Sequence, residues 1–287
     1  MGNFERIRYP DGQIGAKYIG PTQLTLGRDP TSERFTIQER INSYEDLFYI
    51  RSIAEVLDHV GVSTNNYKLF IPCLFGQRSD RRFSDNQSFD LKLIANMINV
   101  CGFGNVEILD PHSDVSLALI NNSRKRSSFE YVKQAIDHYH LVNAATHNGS
   151  EDPILVSPDA GAYKKVFEYG EKLKLEVVAA VKHRSTDGVI DLKFIGDVKG
   201  KACFIIDDLC DGGYTFLVLT DALKAQGAKE VYLYISHGLF SKGFHELHKQ
   251  IDHIYCTNSV YDLESRAYPV GEYSFKISDF VTQFKVI

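Results

Sequence analysis

Seven short, almost wholly apolar runs recur along the 287 residues, at 68–75, 106–110, 154–157, 177–181, 203–207, 231–236 and 254–257. Strands covered on both faces have to read this way. The stretches between them carry helical spacing instead, with Leu47, Ile50, Ile53, Ala54 and Leu57 in one and Leu91, Ile94, Ala95 and Ile98 in another. Alternation of this kind predicts an α/β fold with mainly parallel sheets flanked by helices. The polar segment 138–152 (HYHLVNAATHNGSED) breaks the rhythm and marks the expected junction, giving an α/β unit over 1–140 and another over 141–287. At the N-terminus, IRYPDGQIGAKYI reads as a β-hairpin, with a turn at Pro10–Gly12 between alternating flanks.

Charge narrows the partners. With 37 acidic against 32 basic side chains, the formal net charge is -5, and no segment carries the dense Lys/Arg face that nucleic-acid binding needs. Small anionic ligands need only a few local cations. The five cysteines (Cys73, Cys101, Cys203, Cys210, Cys256) are odd in number, widely spread and set mostly in apolar runs, so they read as reduced, buried thiols. The first residues, MGNFERIRYPDG, have no apolar signal core, and no run reaches the roughly 18 apolar residues of a membrane span. The expected location is the cytoplasm.

FIIDDLCDGGYTF, over 204–216, is the most informative segment. An apolar strand ends in two carboxylates, Asp207 and Asp208, and a loop with Asp211, Gly212, Gly213, Tyr214 and Thr215 leads into an apolar helix. Glycines at such a turn let backbone N–H groups converge on an anion, and the helix N-terminus adds partial positive charge. The carboxylates cannot hold phosphate, so they suit sugar hydroxyls or a metal beside it. A plain surface turn, with Asp211 and Thr215 only capping the helix, is the simpler alternative. Two carboxylates closing an apolar strand weigh against it, because strand ends are where α/β proteins bind ligands.

This loop, DDLCDGGYT, resembles the ribose-phosphate loop shared by type I phosphoribosyltransferases and ribose-phosphate pyrophosphokinases (PRPP synthetases). Further stretches resemble the synthetases specifically and fall in their order. RYPDGQ is similar to the adenine-recognising hairpin, IPCLFGQRSDRR to the ATP-gripping segment, and DPHSD to the metal-binding histidine turn. SPDAG is similar to the pyrophosphate-side loop, VKHR to the catalytic Lys-x-Arg, and SHGLFSKG to the segment after the sixth strand. The resemblance implies two phosphoribosyltransferase-like domains and transfer of the β,γ-pyrophosphate of ATP to the anomeric hydroxyl of a ribose 5-phosphate unit, with release of AMP.

The resemblance also implies roles. Tyr9, Asp11, Gln13, Arg78, Ser79, Asp80 and His112 would bind ATP, with Mg²⁺ held by His112 and Asp159. Lys182 and Arg184 would stabilise the transferring group, and Asp207, Asp208, Asp211, Gly212, Gly213, Tyr214 and Thr215 would bind the ribose phosphate. The family's ATP site is completed across a homodimer or higher oligomer by the hairpin. Taken singly, His112 would pass for a turn histidine, Asp159 for an N-cap, and Lys182 and Arg184 for a solvated strand end; their conjunction at successive strand ends favours the enzyme. His245 and His248, at i and i+3, lack a third ligand and read as surface residues.

Where the family usually has Asp-Thr-Gly-Gly-Thr, this sequence has Asp211-Gly212-Gly213-Tyr214-Thr215. One hydroxyl is gone at Gly212, and a phenol stands at Tyr214 on which a base would stack. The acceptor is therefore open between ribose 5-phosphate and ADP-ribose, the latter being the acceptor of phage-type relatives that feed NAD⁺ resynthesis in a host cytoplasm. Gln13 stands in place of Glu, Ser79 in place of Gln, and the chain starts close to the hairpin, short of the family's first strand and helix. Two other readings compete. A phosphoribosyltransferase would share the loop but not the ordered set of segments; a non-catalytic regulator would be expected to have lost His112, Asp159, Lys182 or Arg184.

Overall fold

The computed structural model describes residues 4–20, 36–146, 151–184 and 190–261. These residues fall into two compact units, one up to Ser127 and one from Ser128 onward. The division thus comes earlier than the expected 140/141 junction. The reason is a helix: 138–146, polar as they are, form the last turns of an 18-residue helix, Phe129–Thr146, whose buried Tyr131, Val132, Ala135, Ile136 and Tyr139 recur at helical spacing.

In the first unit, β1 (Phe4–Arg8) and β2 (Ile14–Tyr18) pair antiparallel as the expected hairpin. A parallel sheet follows in the order β3 (Thr36–Gln38), β4 (Lys68–Ile71), β5 (Asn105–Leu109), β6 (Ser123–Arg126). Helix α1 (Tyr44–His59) buries Leu47, Ile50, Ile53, Ala54 and Leu57, and α2 (Asp90–Asn99) buries Leu91, Ile94, Ala95 and Ile98, as their spacing predicts. Ser43 caps α1: its Oγ accepts the Asp46 N–H at 3.3 Å, while Asp46 Oδ2 accepts the Asn42 N–H at 2.9 Å. Such a reciprocal cap contributes ~1 kcal/mol. α3 (Val115–Leu119) connects β5 to β6.

The second unit starts with α4 (Phe129–Thr146), followed by β7 (Ile154–Ser157), α5 (Ala160–Leu173), β8 (Val177–Arg184) and β9 (Ile190–Ile195). Then come β10 (Ala202–Cys210), α6 (Tyr214–Ala225), β11 (Glu230–Gly238), α7 (His245–Gln250) and β12 (His253–Cys256). Among the described residues these strands form one sheet in the order β12-β11-β10-β7-β8-β9, parallel except where β9 runs antiparallel to β8. The chain winds outward from β7 through β8 in one direction and from β10 through β11 and β12 in the other. The reversal lies between β7 and β10, and the C-terminal edge at such a switch point is where open α/β sheets place ligands.

Three strands escaped the apolar-run signal, β3, β6 and β9. β6 reads Ser-Arg-Lys-Arg because it is a sheet edge, where charge is tolerated and blunts unwanted pairing; Arg124 and Arg126 face Glu107 on β5 at 2.6 and 3.7 Å, and Lys125 reaches Asp110 at 3.7 Å. All five cysteines are free and buried. Among the described residues no helix is long and apolar enough to cross a membrane.

Candidate active site

The site elements of the first unit leave the C-terminal ends of β4 and β5, which are hydrogen-bonded neighbours running parallel. After β4 the chain turns through Gly76 at φ 70°, a conformation that favours glycine. An added Cβ there would come within 2.5 Å of Ile94 Cδ1, so the turn also needs the space. Arg78 follows in the open, with Ser79 and Asp80 half-buried. After β5, Asp110 sits at φ 37° with 1% exposure, and Pro111 leads to an exposed His112. A residue that the sequence reading missed joins the two loops. Gln77 is buried, and its Oε1 accepts the His112 backbone N–H at 3.0 Å. A lone Gln in a charged run gives no sequence signal of that bond.

The hairpin tip carries Tyr9, Asp11 and Gln13, all exposed. The turn is closed by the Tyr9 N–H on Gln13 O at 2.8 Å and the Gly12 N–H on Tyr9 O at 3.0 Å. Its register on the unit is held from the strand: Arg6 lies 2.9 Å from Asp46 and places its guanidinium 4.3 Å over the Tyr49 ring.

The second unit gathers its elements at the C-terminal ends of β7, β8, β10 and β11. Asp159 follows β7 and is the N-cap of α5, with Oδ1 accepting the Gly161 and Ala162 N–H groups at 2.8 and 3.0 Å. That bears on its role: the capping bonds use Oδ1 and leave Oδ2 outside the cap, on an exposed side chain. Lys182 and Arg184 lie at the end of β8, opposite Leu192 and Ile190 of β9, and their side chains fall outside the described residues.

β10 ends in the carboxylate pair. Asp208 is 8% exposed, Asp207 half-buried, and the Asp208 N–H donates to Asp207 Oδ1 at 2.9 Å. Burial, reinforced by the neighbouring Asp208 charge, holds Asp207 well above the usual carboxylate range, with Lys165 working against the shift. Two like charges this close and this buried repel one another, and hydroxyl donors or a cation would lessen the repulsion. Beyond it, Gly213 takes φ 79° as the N-cap of α6, and an added Cβ would meet Leu247 at 3.0 Å. Thr215 is exposed and Tyr214 is 74% exposed, so the phenol offers a free face beside the loop. In the first turn of α6 the Phe216 and Leu217 N–H groups donate to Gly213 O at 3.0 and 3.2 Å, so the helix N-terminus offers an anion the earlier N–H groups of Tyr214 and Thr215. Cys210 lies beneath the loop with its thiol pushed up to about 12 by burial, as is Cys73 after β4, which makes neither a nucleophile.

His112 belongs to the first unit and Asp159 to the second. Among the described residues no three His, Cys, Asp or Glu side chains cluster as a metal cage.

Comparison with known proteins agrees with this layout. The family described as phosphoribosyl synthetase-associated domain matches residues 189–267. Ribose-phosphate pyrophosphokinase 2 of Saccharomyces cerevisiae is 27% identical over 269 residues, spanning 89% of this chain and 80% of its own length. The ribose-phosphate pyrophosphokinase of Thermosipho africanus is 29% identical over 265 residues, spanning 91% and 79%. In fold, the phosphoribosylpyrophosphate synthetase of Mycobacterium smegmatis superposes with a TM-score of 0.74 at 19% identity, covering 93% of this chain and 83% of its own. Over most of its length, then, the chain is similar in sequence to ribose-phosphate pyrophosphokinases and shares the fold of a phosphoribosylpyrophosphate synthetase.

Proposed function

We propose that this chain transfers the β,γ-pyrophosphoryl group of ATP to the anomeric hydroxyl of a ribose 5-phosphate unit, releasing AMP. The observation that carries the reading is the carboxylate pair Asp207–Asp208 at the end of β10, followed directly by the Gly212–Thr215 loop at the head of α6. The loop's amides suit the 5-phosphate, and the adjacent carboxylates, with Asp207 held above the usual carboxylate range by burial, suit the ring hydroxyls. Held at both points, a ribose presents its anomeric oxygen in a fixed direction, and positioning is most of what phosphoryl-type transfer asks of a protein.

On the donor side, Arg78, Ser79, Asp80 and the His112 turn would grip the triphosphate, and Tyr9, Asp11 and Gln13 would meet the adenine, in a homodimer or higher oligomer. Mg²⁺, when bound, neutralises charge on the phosphate oxygens; His112 and Asp159 Oδ2 are the groups that would hold it. Lys182 and Arg184 would stabilise charge on the group in flight. The reading makes the chain an ATP-dependent diphosphotransferase rather than a regulator or a phosphoribosyltransferase.

A second acceptor is favoured by one feature. Tyr214, 74% exposed at the loop, gives a stacking face that a bare ribose 5-phosphate does not use but the adenine of ADP-ribose would. Steady-state kinetics on Lys182→Ala test the assignment of roles: kcat is predicted to fall by roughly 10²–10³-fold with ATP affinity nearly unchanged. Near-normal turnover in that variant removes Lys182 from the transition state.

A further inference from the structure

We propose that Lys242 is an acceptor-binding residue, its ammonium supplying the phosphate contact that the side chain of position 212 does not. The proposal rests on the functional reading above and adds to it a determinant of acceptor affinity that lies outside the loop.

Three observations converge on Lys242. The first is contact. A Cβ built on Gly212 would find Lys242 Cδ and Cε each at 3.5 Å and Cγ at 3.8 Å, and these are the nearest atoms in that direction. The lysine stem therefore packs in van der Waals contact beside the position a side chain at 212 would take, and its ammonium is one bond beyond Cε. The second is anchoring. The segment that carries Lys242 is strapped to the loop by its backbone: the Leu239 and Phe240 N–H groups donate to Cys210 O at 2.9 and 3.2 Å, and the Ser241 N–H donates to Asp211 O at 3.1 Å. Phe240 is buried at φ 45°, with its ring 4.1 Å from that of Phe244, and Gly243 turns the chain at φ 75°. Such a left-handed, buried aromatic holds only where its surroundings over-determine it. The third is charge. Among the described residues Lys242 forms no ion pair, whereas Lys224 and Lys249 on the flanking helices pair with Asp252 and Glu246 at 3.5 and 2.9 Å.

Gly212 offers a phosphate its amide and nothing more, and a phosphate dianion is best held by several donors including a cation. A flexible ammonium fits either kind of acceptor, because it does not demand the tight nest of a monoester. The ligand class is thus a ribose with a free anomeric hydroxyl and a phosphate on C5, as monoester or as diphosphate ester.

The test is a kinetic split. Initial rates of AMP release are measured with ribose 5-phosphate and, separately, with ADP-ribose, for the wild type, Lys242→Met and Lys242→Met/Gly212→Thr. In Lys242→Met the KM of whichever acceptor the wild type uses is expected to rise roughly ten- to a hundredfold, as for loss of one charge-assisted hydrogen bond, with kcat and the KM for ATP within about twofold. The added hydroxyl of Gly212→Thr, a new donor in the loop, is expected to recover part of that loss. An acceptor KM unchanged in Lys242→Met overturns the proposal while leaving the functional reading intact. No AMP from the wild type with either acceptor fells the reading itself, and the proposal with it.

Discussion

Asp207 and Asp208 show how a binding residue can work against the fold that carries it. Burial and the neighbouring charge keep the folded-state pKa of Asp207 above the ordinary 3.8. Across the window from 3.8 upward the folded chain therefore binds more protons than the unfolded chain, and stability falls as pH rises. Asp207→Asn removes the charge and keeps the shape. Its melting temperature is predicted to exceed that of the wild type at pH 8, with the gap closing near pH 3, while acceptor-dependent AMP release is lost. Equal melting temperatures at pH 8 would contradict the strained pair. Both aspartates stood out in the sequence because two charges interrupt an apolar strand; the upward shift of Asp207 was not legible there, since it depends on burial by elements distant in sequence.

At the level of elements, strand ends present loops, and hydrogen bonds tie neighbouring loops to one another. Gln77 is the clearest case, holding the His112 turn to the segment after β4 through one buried hydrogen bond. Gln77→Met keeps the volume and removes the acceptor, leaving the His112 N–H unpaired at a cost of about 1–3 kcal/mol. The expected result is a raised KM for ATP with the acceptor KM unmoved, read from the same AMP assay; an unchanged KM for ATP would make Gln77 a packing residue only. Most elements here were legible in the sequence: the strands from β4 through β12 that are covered on both faces, the two amphipathic helices α1 and α2, and the hairpin. β6 was hidden because an edge strand need not be apolar. β9 carries an alternation at Ile190, Leu192 and Phe194, and Leu192 and Phe194 pack on the second core, but the polar Ser-Thr-Asp-Gly that precedes it in the sequence masks the pattern.

For the whole molecule, two units each carry a mainly parallel sheet with the proposed site residues at its C-terminal edge, and the boundary between them comes at Ser127. Polarity over 138–152 looks like a linker in the sequence, yet 138–146 belong to α4, since a helix with one buried stripe is polar on its other faces. The residues proposed to meet ATP fall in the first unit and those proposed to meet the acceptor in the second. The central claim is that the group transferred is a pyrophosphoryl. The decisive measurement is product identification by mass after incubating the purified chain with ATP, Mg²⁺ and either ribose 5-phosphate or ADP-ribose. The account predicts AMP in equal amount to an acceptor that has gained one diphosphate. ADP with a singly phosphorylated acceptor, or no change in either acceptor, would contradict it.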